Sequence, residues 1–193
     1  MYKQKLGISI SNSYQKDISE VIKIIKSCGF DAISPDSACG NLELISNEAC
    51  KNNLTLQSLH APFSDSAKMW SSDKNEAESA LKPLLLSLDD AHKYEIPILV
   101  VHTWIGFDDI PAPSASGVVN YEKLVNKASE YKIKIAFENT EGEDFLETLM
   151  NYFADNDTVG YCWDSGHEMC YSHSKDLLQK YGSKLIMTHL NDN

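Results

Sequence analysis

Short apolar, β-branched runs recur along this chain, and each is followed by a longer amphipathic segment. That alternation is the pattern of βαβ units around a parallel sheet. Seven strands are read, at Lys5–Ile10, Asp31–Pro35, Thr55–His60, Ile98–His102, Lys134–Glu138, Val159–Asp164 and Leu185–His189. The first helix is punctuated by Asp17 as cap, Glu20 at the capping-box position, a stripe of Ile18, Val21, Ile22 and Ile25, and Gly29 as the stop. Later helices are expected over residues 42–52, 76–94, 121–131, 145–153 and 175–181, with Pro83 kinking or restarting the third.

Seven β/α units in series fit a (β/α)₈ barrel better than an open doubly wound sheet, because no Gly-rich phosphate fingerprint follows the first strand and Gly7 stands alone. The expectation is an α/β chain forming one barrel domain over residues 1–193, ending after the seventh strand and lacking the eighth β/α unit. An edge left open between strands one and seven would be an aggregation liability and would invite pairing into a homo-oligomer.

The 193 residues suffice for one substantial core. With 17 basic against 28 acidic residues, the net charge of −11 disfavours a protein that grips nucleic acid by its phosphates. The five cysteines are widely spaced without a C-x-x-C pair, and are read as reduced thiols, mostly core filler, in a cytoplasmic protein. The apolar stretch near the N-terminus is too short for a signal-peptide core, and no run approaches membrane-spanning length, so a membrane is not an expected partner.

Four of the six histidines, together with Glu138 and Asp164, fall at or just after the C-terminal ends of predicted strands. In a barrel those ends converge on one mouth, so His60, His102, Glu138, Asp164, His167 and His189 should share a cavity. Imidazole mixed with carboxylate suits borderline divalent metals such as Zn²⁺, Mn²⁺, Co²⁺ or Fe²⁺, whereas Mg²⁺ prefers oxygen. A carboxylate at the end of an apolar strand would be costly without a function, which strengthens Glu138 and Asp164.

The strings His60-Ala-Pro, Val101-His102, Phe137-Glu138-Asn139-Thr140, Asp164-Ser-Gly-His167 and His189-Leu-Asn-Asp192 resemble the sugar phosphate isomerase/epimerase family. This family lies in the xylose isomerase-like TIM barrel superfamily, which also contains endonuclease IV. The resemblance runs through the whole chain in order and spacing. It implies a divalent metal (Zn, Mn, Co or Mg) held by Glu138, Asp164 and His189, with His60 and His102 as further candidate ligands and His167 reaching the substrate. It also implies a fourth ligand, a glutamate on an eighth strand, at a position this sequence does not contain. Glu138 and His167 are the candidate catalytic residues, and His167, Trp104 and Asn139 the candidate substrate contacts. The implied activity is proton transfer next to a carbonyl of a small carbohydrate, through a metal-stabilised enediolate with Glu138 as both ligand and base.

Two rival readings follow from the same residues. One is a zinc phosphodiesterase of the endonuclease IV (AP endonuclease) type, using His60 and His102 beside Glu138; the acidic charge and short connections after the strands weigh against it. The other is a non-catalytic barrel that binds a ligand or a partner. Residues 63–70 and 105–113 are the longest connections after strands and are expected to form a lid, in which Asp108 and Asp109 are read as solvated. His92 and His173 read as surface or interhelix contacts, Trp163 as core facing the helices, and residues 141–144 as the start of a helix.

Overall fold

The computed structural model of the protein describes residues 5–11, 16–106, 110–171 and 174–191. Its strands are β1 (Gly7–Ile10), β2 (Ala32–Pro35), β3 (Thr55–Leu56), β4 (Leu59–His60), β5 (Ile98–His102), β6 (Lys134–Glu138), β7 (Val159–Asp164) and β8 (Leu185–His189). The helices are α1 (Ile18–Ser27), α2 (Leu42–Lys51), α3 (Lys74–Lys93), α4 (Ala115–Tyr131), α5 (Glu143–Tyr152), α6 (Ser165–Cys170) and α7 (Leu177–Tyr181).

All strand pairs are parallel and run in chain order, β1-β2-β3 and then β4-β5-β6-β7-β8. Among the described residues the order never reverses, as a barrel-type winding requires and a doubly wound sheet forbids. The third expected strand is split in two: Thr55–Leu56 pairs with β2, while Leu59–His60 pairs with β5. A bridge between Asp36 and His60 keeps the two halves continuous. Gln57 and Ser58 take up the change of partner, and Ser58 Oγ bonds to Ser34 Oγ of β2 at 2.9 Å, fully buried. Among the described residues β1 and β8 each pair on one side only, and β8 keeps Leu185 and Ile186 exposed.

The sheet is strongly curled. In a flat sheet β4 and β8, four strand spacings apart, would lie about 19 Å from each other. Instead the rings of His60 and His189 stack with centroids 5.9 Å apart.

Alternation along the strands sorts side chains into two layers. Facing outward, Ile10, Ile33, Leu59, Leu99, Val101, Ile135, Phe137, Val159 and Tyr161 join the helices in the large core. Trp163 packs against that layer as expected. Facing inward, Val100, Ala136 and Cys162 form a separate small cluster with Ile98 and Met187. The same parity carries His102, Glu138, Asp164 and His189 to the inward face at the next level up, above this apolar plug.

Most helices begin where polar caps place them. Asp17 accepts from the backbone N–H groups of Ser19 and Glu20 to start α1, and Asp73 does the same for α3, which runs through Pro83. Capped by Ser114, α4 starts at Ala115, six residues before the expected start, because the buried face of its first turns is Gly117 and Asn120 rather than an apolar stripe. α6 was not expected at all; at six residues it is too short to show a period. Residues 63–70 do not form a loose lid. Ser66–Trp70 is a 3₁₀ helix whose Met69 and Trp70 are buried, with Trp70 donating to the Thr103 carbonyl at 2.8 Å. In the second expected lid segment, Asp108 and Asp109 lie outside the described residues, as does His173. The cysteines are all free, but Cys28, Cys50 and Cys170 are exposed, so only Cys162 is fully core. His92 stacks on Tyr131 between α3 and α4, at 4.1 Å.

Gly117 packs so closely that a methyl group there would lie 2.1 Å from the Trp70 ring. Trp70 cannot yield, being held by Tyr121 and Phe145 with ring centroids 5.4 and 4.8 Å away. Alanine would improve helix propensity by about 1 kcal/mol, yet overpacking costs about 1–3 kcal/mol. Gly117→Ala is therefore expected to lower the urea midpoint; a raised midpoint would show that the propensity gain wins.

Candidate metal and substrate site

Glu138, the last residue of β6, is the hub of the mouth. Its side chain is 1% exposed, and four imidazoles from different elements face its two carboxylate oxygens. On Oε2 converge His102 Nε2 at 2.9 Å and His60 Nε2 at 3.3 Å. On the Oε1 side lie His189 Nδ1 at 2.8 Å and His167 Nδ1 at 3.7 Å. Register alone explains most of this, since His102 is paired with Glu138 across β5 and β6, and Asp164 with His189 across β7 and β8.

The partners of each ring fix where its proton sits. A backbone carbonyl can only accept, so the bond from His60 Nδ1 to the Ala61 carbonyl, 2.9 Å, holds a proton on Nδ1. The same argument applies to His167, whose Nδ1 donates to the Asn139 carbonyl at 2.9 Å. A neutral His60 then presents a lone pair from Nε2 toward an ionised carboxylate. That arrangement is repulsive unless a second proton or a cation lies between the two groups.

The electrostatics agree. Burial would raise the Glu138 carboxyl, but hydrogen bonds from His102, His189 and His60 outweigh it and hold the group well below the usual carboxylate range. Burial pulls His60 down, yet its bond to Glu138 and the charge there leave it raised overall. His102 goes the other way: its burial dominates, so it is shifted toward the neutral form that ligates metals. Cys162 sits in register with Glu138, but burial, with Glu138 and Asp164 nearby, keeps its thiol far above the ordinary range and so protonated.

Among the described residues two groups have the ligand geometry for a cation, His60–Glu138–His189 and His102–Glu138–His167, each with its donor atoms within 4.8 Å of one another. Asp164 belongs to neither. Its Oδ1 accepts from the His167 N–H at 2.7 Å and so caps α6, while Asn191 Nδ2 donates to both oxygens, at 2.9 and 2.8 Å. It stands 3.8 Å from His189 Nδ1.

Asn139 and Trp104, expected at the substrate, are both buried and engaged elsewhere. Asn139 has no exposed surface; its Oδ1 accepts from the Asp164 N–H at 2.6 Å and its Nδ2 donates to the Asp164 carbonyl at 2.9 Å, tying β6 to β7. Trp104 lies flat on Phe145, 4.3 Å away, and donates to the Gly106 carbonyl. Sequence reasoning did not single out Asn191, although it lay inside the quoted string after His189, nor Phe63, whose ring stacks on His102 at 4.7 Å. His167 keeps about a quarter of its side chain exposed at the mouth, beside Tyr171 at 5.1 Å. Among the described residues no helix is long and apolar enough to cross a membrane.

Known proteins of this shape are sugar epimerases in several cases. The 3-keto-D-glucoside 4-epimerase of E. coli superposes with a TM-score of 0.78 at 16% identity, over 99% of this chain and 80% of the other. A D-psicose 3-epimerase of Clostridium cellulolyticum H10 gives 0.76 at 16% identity, over 98% and 73%. An L-ribulose 3-epimerase gives 0.77 at 14%, over 98% and 70%. In sequence, the uncharacterized protein y4fM of Sinorhizobium fredii is 23% identical over 93% of this chain and 70% of its own length. The family model described as xylose isomerase-like TIM barrel matches residues 22–193, and the chain belongs to that family.

Proposed function

We propose that the protein is a divalent-metal-dependent sugar isomerase or epimerase, moving a proton on a carbon next to a carbonyl. The observation that carries this reading is the buried Glu138 carboxylate ringed by four imidazoles at the sheet's C-terminal mouth. The donor set fits a borderline cation, which would take the place of the second proton that His60 otherwise needs in order to face Glu138. His60, Glu138 and His189 would hold it, or His102, Glu138 and His167. When bound, such an ion supplies positive charge where negative charge develops on the substrate oxygens.

The chain's own residues supply the rest. Glu138, kept ionised by its neighbours, is the proton acceptor. With the ion on His60, Glu138 and His189, His167, whose Nδ1 is committed to the Asn139 carbonyl, is left to offer Nε2 to the substrate. Asp164 acts as an outer partner: it caps α6 and so orients His167. Asn139 holds Asp164 in place from beneath. The three structural neighbours named above are epimerases of small carbohydrates, which supports a substrate of that class.

The test is exchange in D₂O. Protein supplied with Mn²⁺, Co²⁺ or Zn²⁺ and a panel of ketoses is expected to replace the C–H next to the carbonyl by deuterium, read by ¹H NMR, and to stop when the metal is chelated. No exchange with any metal and any ketose in the panel would sink the proposal. One feature favours the phosphodiesterase reading: two histidine groups share one carboxylate, a layout suited to more than one ion. Metal-dependent cleavage of abasic DNA without sugar exchange would select it.

A further inference from the structure

Phe63 follows the C-terminal end of β4, on the rim that the strand ends form, and it is 40% exposed. Two of the imidazoles around Glu138 hold its ring there. It lies nearly parallel to His102, with centroids 4.7 Å apart and 22° between the planes, and edge-on to His60 at 5.6 Å and 80°. His60 is edge-on to His102 as well, at 4.9 Å, so the three rings brace one another. Phe63 is thus fixed in place without being buried.

Exposed apolar side chains are ordinary on a protein surface when they are scattered singly. This one borders the two imidazoles whose Nε2 atoms face Glu138 Oε2, at 3.3 and 2.9 Å. Those neighbours suggest an occupant. A ketose is amphipathic: its carbonyl and hydroxyl oxygens are polar, while the hydrogens on its carbons make apolar patches. The oxygens and the C–H bond that reacts belong to the site around Glu138, and the remaining carbon-bound hydrogens need an apolar neighbour. An aromatic face, negative at its centre, attracts such hydrogens. A ring already braced gives that contact at little cost in conformational entropy.

We propose that Phe63 is a specificity residue that touches the substrate: the uncovered part of its ring is the platform on which the carbon chain of a ketose rests while its oxygens meet the site organised by Glu138. The contact involves carbons that do not react, so it is equally strong before and during proton transfer. Uniform binding of that kind sets KM and leaves kcat nearly untouched. The inference rests on the isomerase reading above.

The experiment takes as its probe the ketose that exchanges fastest in D₂O with Mn²⁺-loaded protein. Phe63→Leu, which keeps apolar bulk without an aromatic face, is expected to raise KM by about 5–10-fold, with kcat and Mn²⁺ affinity within about 2-fold of wild type. Phe63→Tyr, which keeps the face, is expected to restore KM. In the zinc-loaded wild type, ¹H Overhauser transfer should run from a phenyl ring to the carbon-bound protons of the ketose and vanish in Phe63→Leu. An unchanged KM in Phe63→Leu, transfer that persists in it, or a rise in KM matched by an equal loss of Mn²⁺ affinity overturns the platform while leaving the isomerase reading standing; the last would mean that Phe63 serves only to brace His102. Wild type that exchanges no ketose overturns both.

Discussion

Replacing Glu138 by Gln is expected to lower isomerising turnover by about 10²–10⁴-fold, the contribution of a positioned acid–base group, and to abolish stoichiometric metal binding. The substitution conserves shape, so the loss would report charge. The amide cannot balance the imidazoles that converge on it from β4, β5, α6 and β8, and its nitrogen would oppose donors where an acceptor is needed. The effect extends to the metal-free protein. Because the folded-state pKa of Glu138 is depressed, the carboxylate contributes stability that is complete above about pH 5 and is lost as acid titrates the folded group. The Gln variant should lack that segment of the stability–pH profile. A profile identical to wild type would mean the carboxylate is not held as argued, whatever happens to turnover.

The second large effect is expected at Asn139, whose side chain hydrogen-bonds to Asp164 and Glu168. Asn139→Ala strips the Asp164 N–H of its acceptor and the Asp164 carbonyl of a donor, both in a fully buried setting. An unsatisfied buried donor costs about 1–3 kcal/mol. In a chain of this size that lowers the melting temperature by roughly 2–4 °C per kcal/mol. Asn139→Asp separates the two bonds, since it keeps the acceptor for Asp164 N–H but turns the Asp164 carbonyl and Glu168 against a carboxylate. Both variants are expected to unfold earlier and to bind metal more weakly, because Asp164 carries the cap that orients His167. Melting within about 1 °C of wild type would show that β6 and β7 do not depend on this tie.

Much of this fold was legible in the amino-acid order. The β-branched runs marked the strands, and their ends marked where His60, His102, Glu138, Asp164 and His189 would meet, because a parallel strand delivers its last residue to the same rim as its neighbours. What the order could not give was the partner of each group. Asp164 and His189 look equivalent to Glu138 when read one strand at a time, yet only Glu138 lies where four rings converge. Asp164 instead turns to α6, a helix too short to announce itself by periodicity, and to Asn191. Asn139 and Trp104 sit beside site residues in sequence, but alternation and the chain's turn send them away from the mouth, to β7 and to Phe145.

The central claim is a nitrogen- and oxygen-lined cation site organised by Glu138, and zinc K-edge X-ray absorption of the zinc-loaded protein tests it most directly. The expected first shell contains imidazole nitrogen and carboxylate oxygen at about 2.0–2.2 Å, with outer-ring scattering from at least two histidines and no sulfur, since Cys162 lies in the apolar cluster beneath the carboxylate and belongs to neither ligand group. Less than one zinc per chain, or a shell of sulfur at about 2.3 Å, would contradict it.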